Sequence, residues 1–231
     1  HHSMNALTKT MALAATLLTT FGAQADPADS VPSRLGFGSK GYVWNKMTAE
    51  QVAAMKLTGD AASGQQAFRG CQGCHKADGA GRVDGSYPRL TGQHAVVIVK
   101  QVTDTRAGIR INPKMSPFAS EHALSLQELA DIAVYLSGVT SLAENGMGDE
   151  KDARRGAKRY AQLRCDRCHG KAGEGNAAKI YPVVAAQHYS YLLREMEHVQ
   201  AGTRGNSHPE MVKGLRGVSP ADLAALASFM S

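Results

Sequence analysis

Aromatic residues are scarce, at 6% of the chain, and Trp44 is the single tryptophan. Two small domains built from such a chain would have thin cores, and a large buried cofactor would supply the missing apolar volume. Cysteine is scarce too: Cys71, Cys74, Cys165 and Cys168 are all there are, and they fall in two short motifs, which leaves none for a disulfide framework. The formal net charge is +6, but it is spread without a dense basic run, which argues against a nucleic-acid partner. No apolar run reaches the roughly 20 residues that span a bilayer. No strand-like alternation of any length occurs, so the fold class is all-α. The sequence also lacks a nucleophile–base pair, a carboxylate pair and a phosphate-binding loop, and with them the usual means of hydrolytic or transferase chemistry.

The first residues read as processing signals. His1-His2-Ser3 ahead of Met4 looks like a tag remnant. Lys9, the apolar stretch Met11 to Ala23, and Ala23-Gln24-Ala25 before Asp26 form a charged start, a short apolar region and a small-residue cleavage site. This predicts export and cleavage after Ala25, which places the mature protein in the periplasm. No twin-arginine pair precedes the apolar stretch, so the general secretory route is expected.

An internal repeat organises the rest. Shifted by 94 positions, Cys71, Cys74 and His75 fall on Cys165, Cys168 and His169. Tyr87-Pro88 falls on Tyr181-Pro182, Gln93-His94 on Gln187-His188, Arg110 on Arg204 and Ser125 on Ser219. So many landmarks kept in order define two tandem copies of one unit. The expected boundaries are 1–25 for the tag remnant and signal peptide, 26–56 for an N-terminal arm, 57–142 for the first domain and 143–231 for the second. Each copy predicts a short helix running into the cysteine pair (64–69 and 153–163), a middle helix (94–106 and 189–200), a loop that ends in a methionine, and a closing helix. Ser125 with Glu128 reads as a capping box, and Ser219 as a cap with Pro220 at the first helical position. In the arm, Thr48 with Gln51 predicts a helix to about Leu57. The arm either packs against one domain or binds a partner.

Cys71-Gln72-Gly73-Cys74-His75 and Cys165-Asp166-Arg167-Cys168-His169 are two C-x-x-C-H motifs. Cysteines three apart on one helical turn can each reach a vinyl group on the same porphyrin edge and form thioethers, and the next residue then places an imidazole under the iron. A four-cysteine zinc site is disfavoured because the pairs lie 94 residues apart in separate repeats. A thioredoxin-like dithiol would need a βαβ setting. Two covalently bound haem c groups are therefore expected, with His75 and His169 as iron ligands. Met115 and Met211, equivalently placed in Pro-containing loops, are the expected sixth ligands, and His208 is the alternative at the second site. A His/Met pair closes both axial positions and raises the potential, which favours electron transfer over catalysis. The carbonyls of Pro88 and Pro182 could orient the axial imidazoles, and Arg110 and Arg204 could neutralise haem propionates. His94 and His188 read as helix-start or core residues. Arg154, Arg155, Lys158, Arg159, Arg164 and Arg167 form either a solvated helix face or a docking patch for an acidic protein.

With both haem motifs, Tyr-Pro-x-x-x-x-Gln-His in each copy, Gly-x-Arg before the ligand loop and Asn112-Pro113-Lys114-Met115, residues 60–231 resemble the dihaem cytochrome c4 family. The resemblance implies two class I cytochrome c domains about a pseudo-two-fold axis with the haems near the interface. It also implies periplasmic electron shuttling between a redox donor and acceptor: an oxidase, a dehydrogenase or another cytochrome. Peripheral membrane association is compatible with it. The alternatives are a haem enzyme with an open iron or the dedicated electron-accepting subunit of a periplasmic oxidoreductase, for example of sulfur compounds. The chain departs from the family pattern in its longer arm and in His208-Pro209-Glu210-Met211 in the second copy.

Overall fold

The computed structural model describes residues 34–231. The expected tag remnant and signal peptide and the start of the expected arm lie outside the described residues. The described residues form eleven α-helices and no strand. The arm ends in α1 (Ala49–Lys56). The first domain holds α2 (Ala61–Ala67), α3 (Gln72–His75), α4 (Ala95–Arg106), α5 (Ser116–Ala119) and α6 (Leu126–Gly138); the second holds α7 (Glu150–Gln162), α8 (Asp166–His169), α9 (Tyr189–Ala201), α10 (Pro209–Leu215) and α11 (Pro220–Met230).

The helix starts follow their caps. Thr48 with Gln51 and Ser125 with Glu128 form complete capping boxes. Ser219 accepts from the Asp222 N–H, with Pro220 in the first turn. Two starts lie earlier than the sequence reading placed them, because Asp60 caps α2 and Asp149 caps α7. In each domain the first and last helices cross closely: α2 on α6 and α7 on α11. Glycine permits the approach, since a Cβ on Gly64 would strike the Asp131 backbone and one on Gly156 the Ala225 carbonyl. Around these crossings, Phe68, Leu129 and Leu136 form the first core, and Leu192, Val199, Leu223 and Leu226 the second.

One methionine loop matches expectation and the other does not. Met115 opens the single turn α5, as its N-terminal cap. Met211 sits inside α10, where the sequence reading placed a loop. The reason is local: His208 Nδ1 accepts the Glu210 N–H at 3.0 Å, and Pro209 has the fixed φ of a first helical residue.

The domains meet through reciprocal contacts, the pattern a two-fold relation produces. The Gln93 side chain holds both backbone groups of Val183, at 2.9 Å each. Gln187 holds both backbone groups of Arg89, also at 2.9 Å each. His94 Nε2 lies 3.0 Å from the Glu174 carbonyl and His188 Nε2 2.7 Å from that of Ala80. The two histidines do precede helices, and they also join the domains.

The arm touches both domains, not one. Phe37 N–H donates to the Gly205 carbonyl at 2.6 Å and the Tyr42 hydroxyl to the Ser207 carbonyl at 3.0 Å. Trp44 stacks on Tyr181 with centroids 5.6 Å apart and meets the His208 ring edge-on at 4.4 Å. Further along, Gln51 Nε2 donates to Thr103 at 3.0 Å and to Asp104 at 2.7 Å in the first domain, and Glu50 pairs with Arg106.

Candidate functional site

Each C-x-x-C-H motif lies on a tight turn. A 3-10 turn over Phe68–Cys71 runs into α3, and α8 carries the second motif. The chain leaves both turns through the left-handed region, at Lys76 (φ 63°) and Gly170 (φ 78°). It then folds back so that Gly81 N–H donates to the His75 carbonyl at 3.0 Å and Gly175 N–H to that of His169 at 2.8 Å.

The fold-back brings a proline carbonyl to each imidazole. His75 Nδ1 lies 3.1 Å from the Pro88 oxygen, and His169 Nδ1 lies 3.0 Å from the Pro182 oxygen. Burial lowers the pKa of both imidazoles and the carbonyl opposes it, so both rings are neutral at pH 7. With Nδ1–H donating, the Nε2 lone pair is left for a metal. The four cysteines are unpaired. Burial raises the Cys71 thiol, and it pushes Cys165 up to about 11, which keeps these sulfurs as thiols rather than thiolates.

One continuous cavity of about 1370 Å³ runs through both domains, and in each it is lined by the cysteine pair, the histidine, the proline, the arginine and the methionine of the repeat. Apolar walls come from Leu90, Ile98 and Leu129 in one domain and Leu192, Val199 and Leu226 in the other. A space of this size beside two thiols and a free imidazole nitrogen, with a thioether in the same wall, fits a haem in each domain. It accounts for the shortage of aromatic residues as well.

Arg110 and Arg204 line this cavity and converge from the two domains on one carboxylate. Arg110 reaches Glu195 at 3.1 Å and Tyr191 at 3.2 Å, and Arg204 pairs with the same Glu195 oxygen. Gln101 accepts from both arginines, at 3.0 and 3.2 Å. Nearby, Lys100 pairs with Asp104 at 2.7 Å. Arg194 also acts on Glu195, so cations outnumber the two carboxylates and the cluster stays positive, suited to an acidic group entering the cavity. Burial alone would raise the Glu195 carboxyl, but Arg204 and Arg110 reverse this and hold it down at about 2. The stabilisation from Glu195 is therefore complete above the unfolded carboxylate value near pH 4.3 and is lost as pH falls toward about 2. Glu195→Gln should cost about 3 kcal/mol at pH 7, because it leaves two buried guanidinium groups without their counter-charge. Urea unfolding at pH 7 and at pH 2 checks this, and the gap between variant and parent closes at the lower pH.

Sequence reasoning did not reach Glu195, Tyr191, Gln101 or Trp44 as site residues. Each depends on contacts between domains, or between the arm and a domain, that no local pattern announces. The basic cluster divides. Arg154, Arg155 and Arg159 are paired with Glu150 or Asp222, as a solvated helix face would be. Arg164, which pairs with Asp166 at 3.6 Å, and Arg167 are exposed at the cavity mouth. Among the described residues no helix is long and apolar enough to cross a membrane.

The folded motif, repeated with its imidazole, carbonyl and methionine around a shared cavity, defines a c-type cytochrome in duplicate. The family model for cytochrome c matches residues 61–140 and again 153–231. Cytochrome c4 of Thiocapsa roseopersicina is 31% identical over 77% of this chain and 95% of its own length. The thiosulfate dehydrogenase electron acceptor of Stutzerimonas stutzeri is 32% identical over 78% of this chain and 91% of its own. The crystal structure of reduced cytochrome c4 from Pseudomonas stutzeri aligns with a TM-score of 0.67 at 29% identity, over 75% of this chain and 98% of that one. The chain belongs to the cytochrome c4 family. It is a dihaem electron-transfer cytochrome of two tandem cytochrome c domains, with two covalently bound haem c groups.

Proposed function

We propose that the protein shuttles electrons in the periplasm between a redox-protein donor and acceptor through two iron centres closed on both faces. The observation that carries this reading is that each domain turns an imidazole and a methionine thioether, His75 with Met115 and His169 with Met211, into the walls of one cavity. In this reading Cys71, Cys74, Cys165 and Cys168 form the thioethers that hold the haems, and the haems supply one-electron exchange. The Pro88 and Pro182 carbonyls fix ring orientation, and Arg110 and Arg204 face the propionates. His208 is occupied as the cap of α10 and packed on Trp44, which leaves Met211 as the ligand at the second site.

The partner surface lies at the second domain. Arg164, Arg167, Lys179 and Lys213 are exposed around its end of the cavity and suit an acidic redox protein. A periplasmic dehydrogenase as electron donor is favoured by the likeness to a thiosulfate dehydrogenase electron acceptor. Stopped-flow mixing with an acidic redox protein tests the surface. Electron exchange should slow steeply with rising salt, and Arg167→Glu with Lys213→Glu should slow it about tenfold at low ionic strength. Rates indifferent to both would overturn the assignment.

A further inference from the structure

We infer that Gln93 and Gln187 are positioning residues that act across the domain interface, each tuning the iron of the other domain. The inference rests on the reading of His75 and His169 as axial ligands. The carbonyl that accepts from His75 Nδ1 belongs to the Pro88–Arg89 peptide. The N–H of that same peptide donates to Gln187 Oε1 at 2.9 Å, and Gln187 Nε2 donates to the Arg89 carbonyl at 2.9 Å. The second domain repeats this with the roles exchanged. His169 Nδ1 meets the Pro182 carbonyl, and the Val183 N–H of that peptide donates to Gln93 Oε1 at 2.9 Å.

A peptide whose N–H is engaged has a more basic carbonyl, so hydrogen bonds in series strengthen one another. The stronger carbonyl pulls harder on the imidazole proton, makes the imidazole a better donor to iron and favours the oxidised state. Each glutamine is itself held in place. Its Oε1 also accepts the N–H of the following histidine, at 3.1 Å for Gln93 and 3.0 Å for Gln187. Those histidines reach the Ala80 and Glu174 carbonyls of the opposite domain, inside the turns that fold back onto the axial histidines. The Gln-His pair thus grips both segments that flank the other domain's ligand.

The prediction is a crossed phenotype. Gln187→Leu should raise the potential of the first-domain haem and leave that of the second, and Gln93→Leu should do the reverse. A threefold to tenfold change in the reduction equilibrium is expected, tenfold corresponding to about 59 mV for one electron. Redox titration of the haem-loaded protein, followed by the hyperfine-shifted NMR signals of each axial histidine and methionine, assigns the shifts. Gln→Met, unbranched and close in volume, serves wherever a leucine variant does not load haem. Equal shifts at both haems, shifts confined to the mutated domain, or none would overturn the inference while the ligand reading stands. Absence of shifted imidazole signals from His75 or His169 in the parent would overturn the ligand reading, and the inference with it.

Discussion

On the proposed ligation, Met211→Ala should open one coordination position, in the second domain, and leave the first closed. The oxidised protein should lose about half of its methionine–iron absorption band, and the reduced protein should bind one carbon monoxide where the parent binds none. The potential of the second haem should fall by on the order of 100 mV or more, since axial ligands set haem potentials over a range of about 0.8 V. Met115→Ala should do the same at the first haem. The two should not give identical proteins. Met211 lies in a seven-residue helix whose capping residue is packed against Trp44 from the arm, whereas Met115 heads a single turn. The second site is the more tightly braced of the two, and its open iron should relax less. A double variant that still excludes carbon monoxide would show that neither methionine is a ligand.

Removing Cys165 and Cys168 together is the other large effect. The haem-to-protein ratio should drop from two to one. Leu192, Met196, Val199 and Leu226 line the cavity and belong to the core of the second domain or border it. Without the cofactor they face a space too large for side chains to close, and packing is lost with it. The second domain should then show the expanded, loosely packed behaviour of a molten state, while the first keeps its haem and unfolds separately on heating. Thermal unfolding followed at the remaining haem and by near-ultraviolet circular dichroism separates the two transitions. A variant that retains two haems would contradict the thioether assignment.

The haem motifs, the repeat and most helix starts were legible in the sequence because each is written within a few residues. Thr48, Ser125 and Ser219 announce their helices through side chains that reach three residues on. The Tyr-Pro pairs recur after 94 residues with carbonyls that could reach the imidazoles, but Gln93 and Gln187 stood out only as landmarks. Their physical meaning is split between two copies: the proline of one unit and the glutamine of the other meet on a single peptide. The placement of Met211 in a helix was open to a closer reading, since His208 and Pro209 are a cap followed by a first-turn proline. The convergence of Arg110 and Arg204 on Glu195 was not, because it depends on how the domains face each other. The arm's double attachment was hidden for the same reason, as Gly205 and Ser207 contribute only carbonyl oxygens to it.

The most direct test of the central claim is a potentiometric titration of the exported, haem-loaded protein followed by visible spectra, with carbon monoxide added to the reduced form. Two closed His/Met centres predict two transitions at positive potential, a methionine–iron band in the oxidised state and no response to carbon monoxide. Carbon monoxide binding at either haem, or one strongly negative potential, would contradict the carrier account and identify an iron open to substrate.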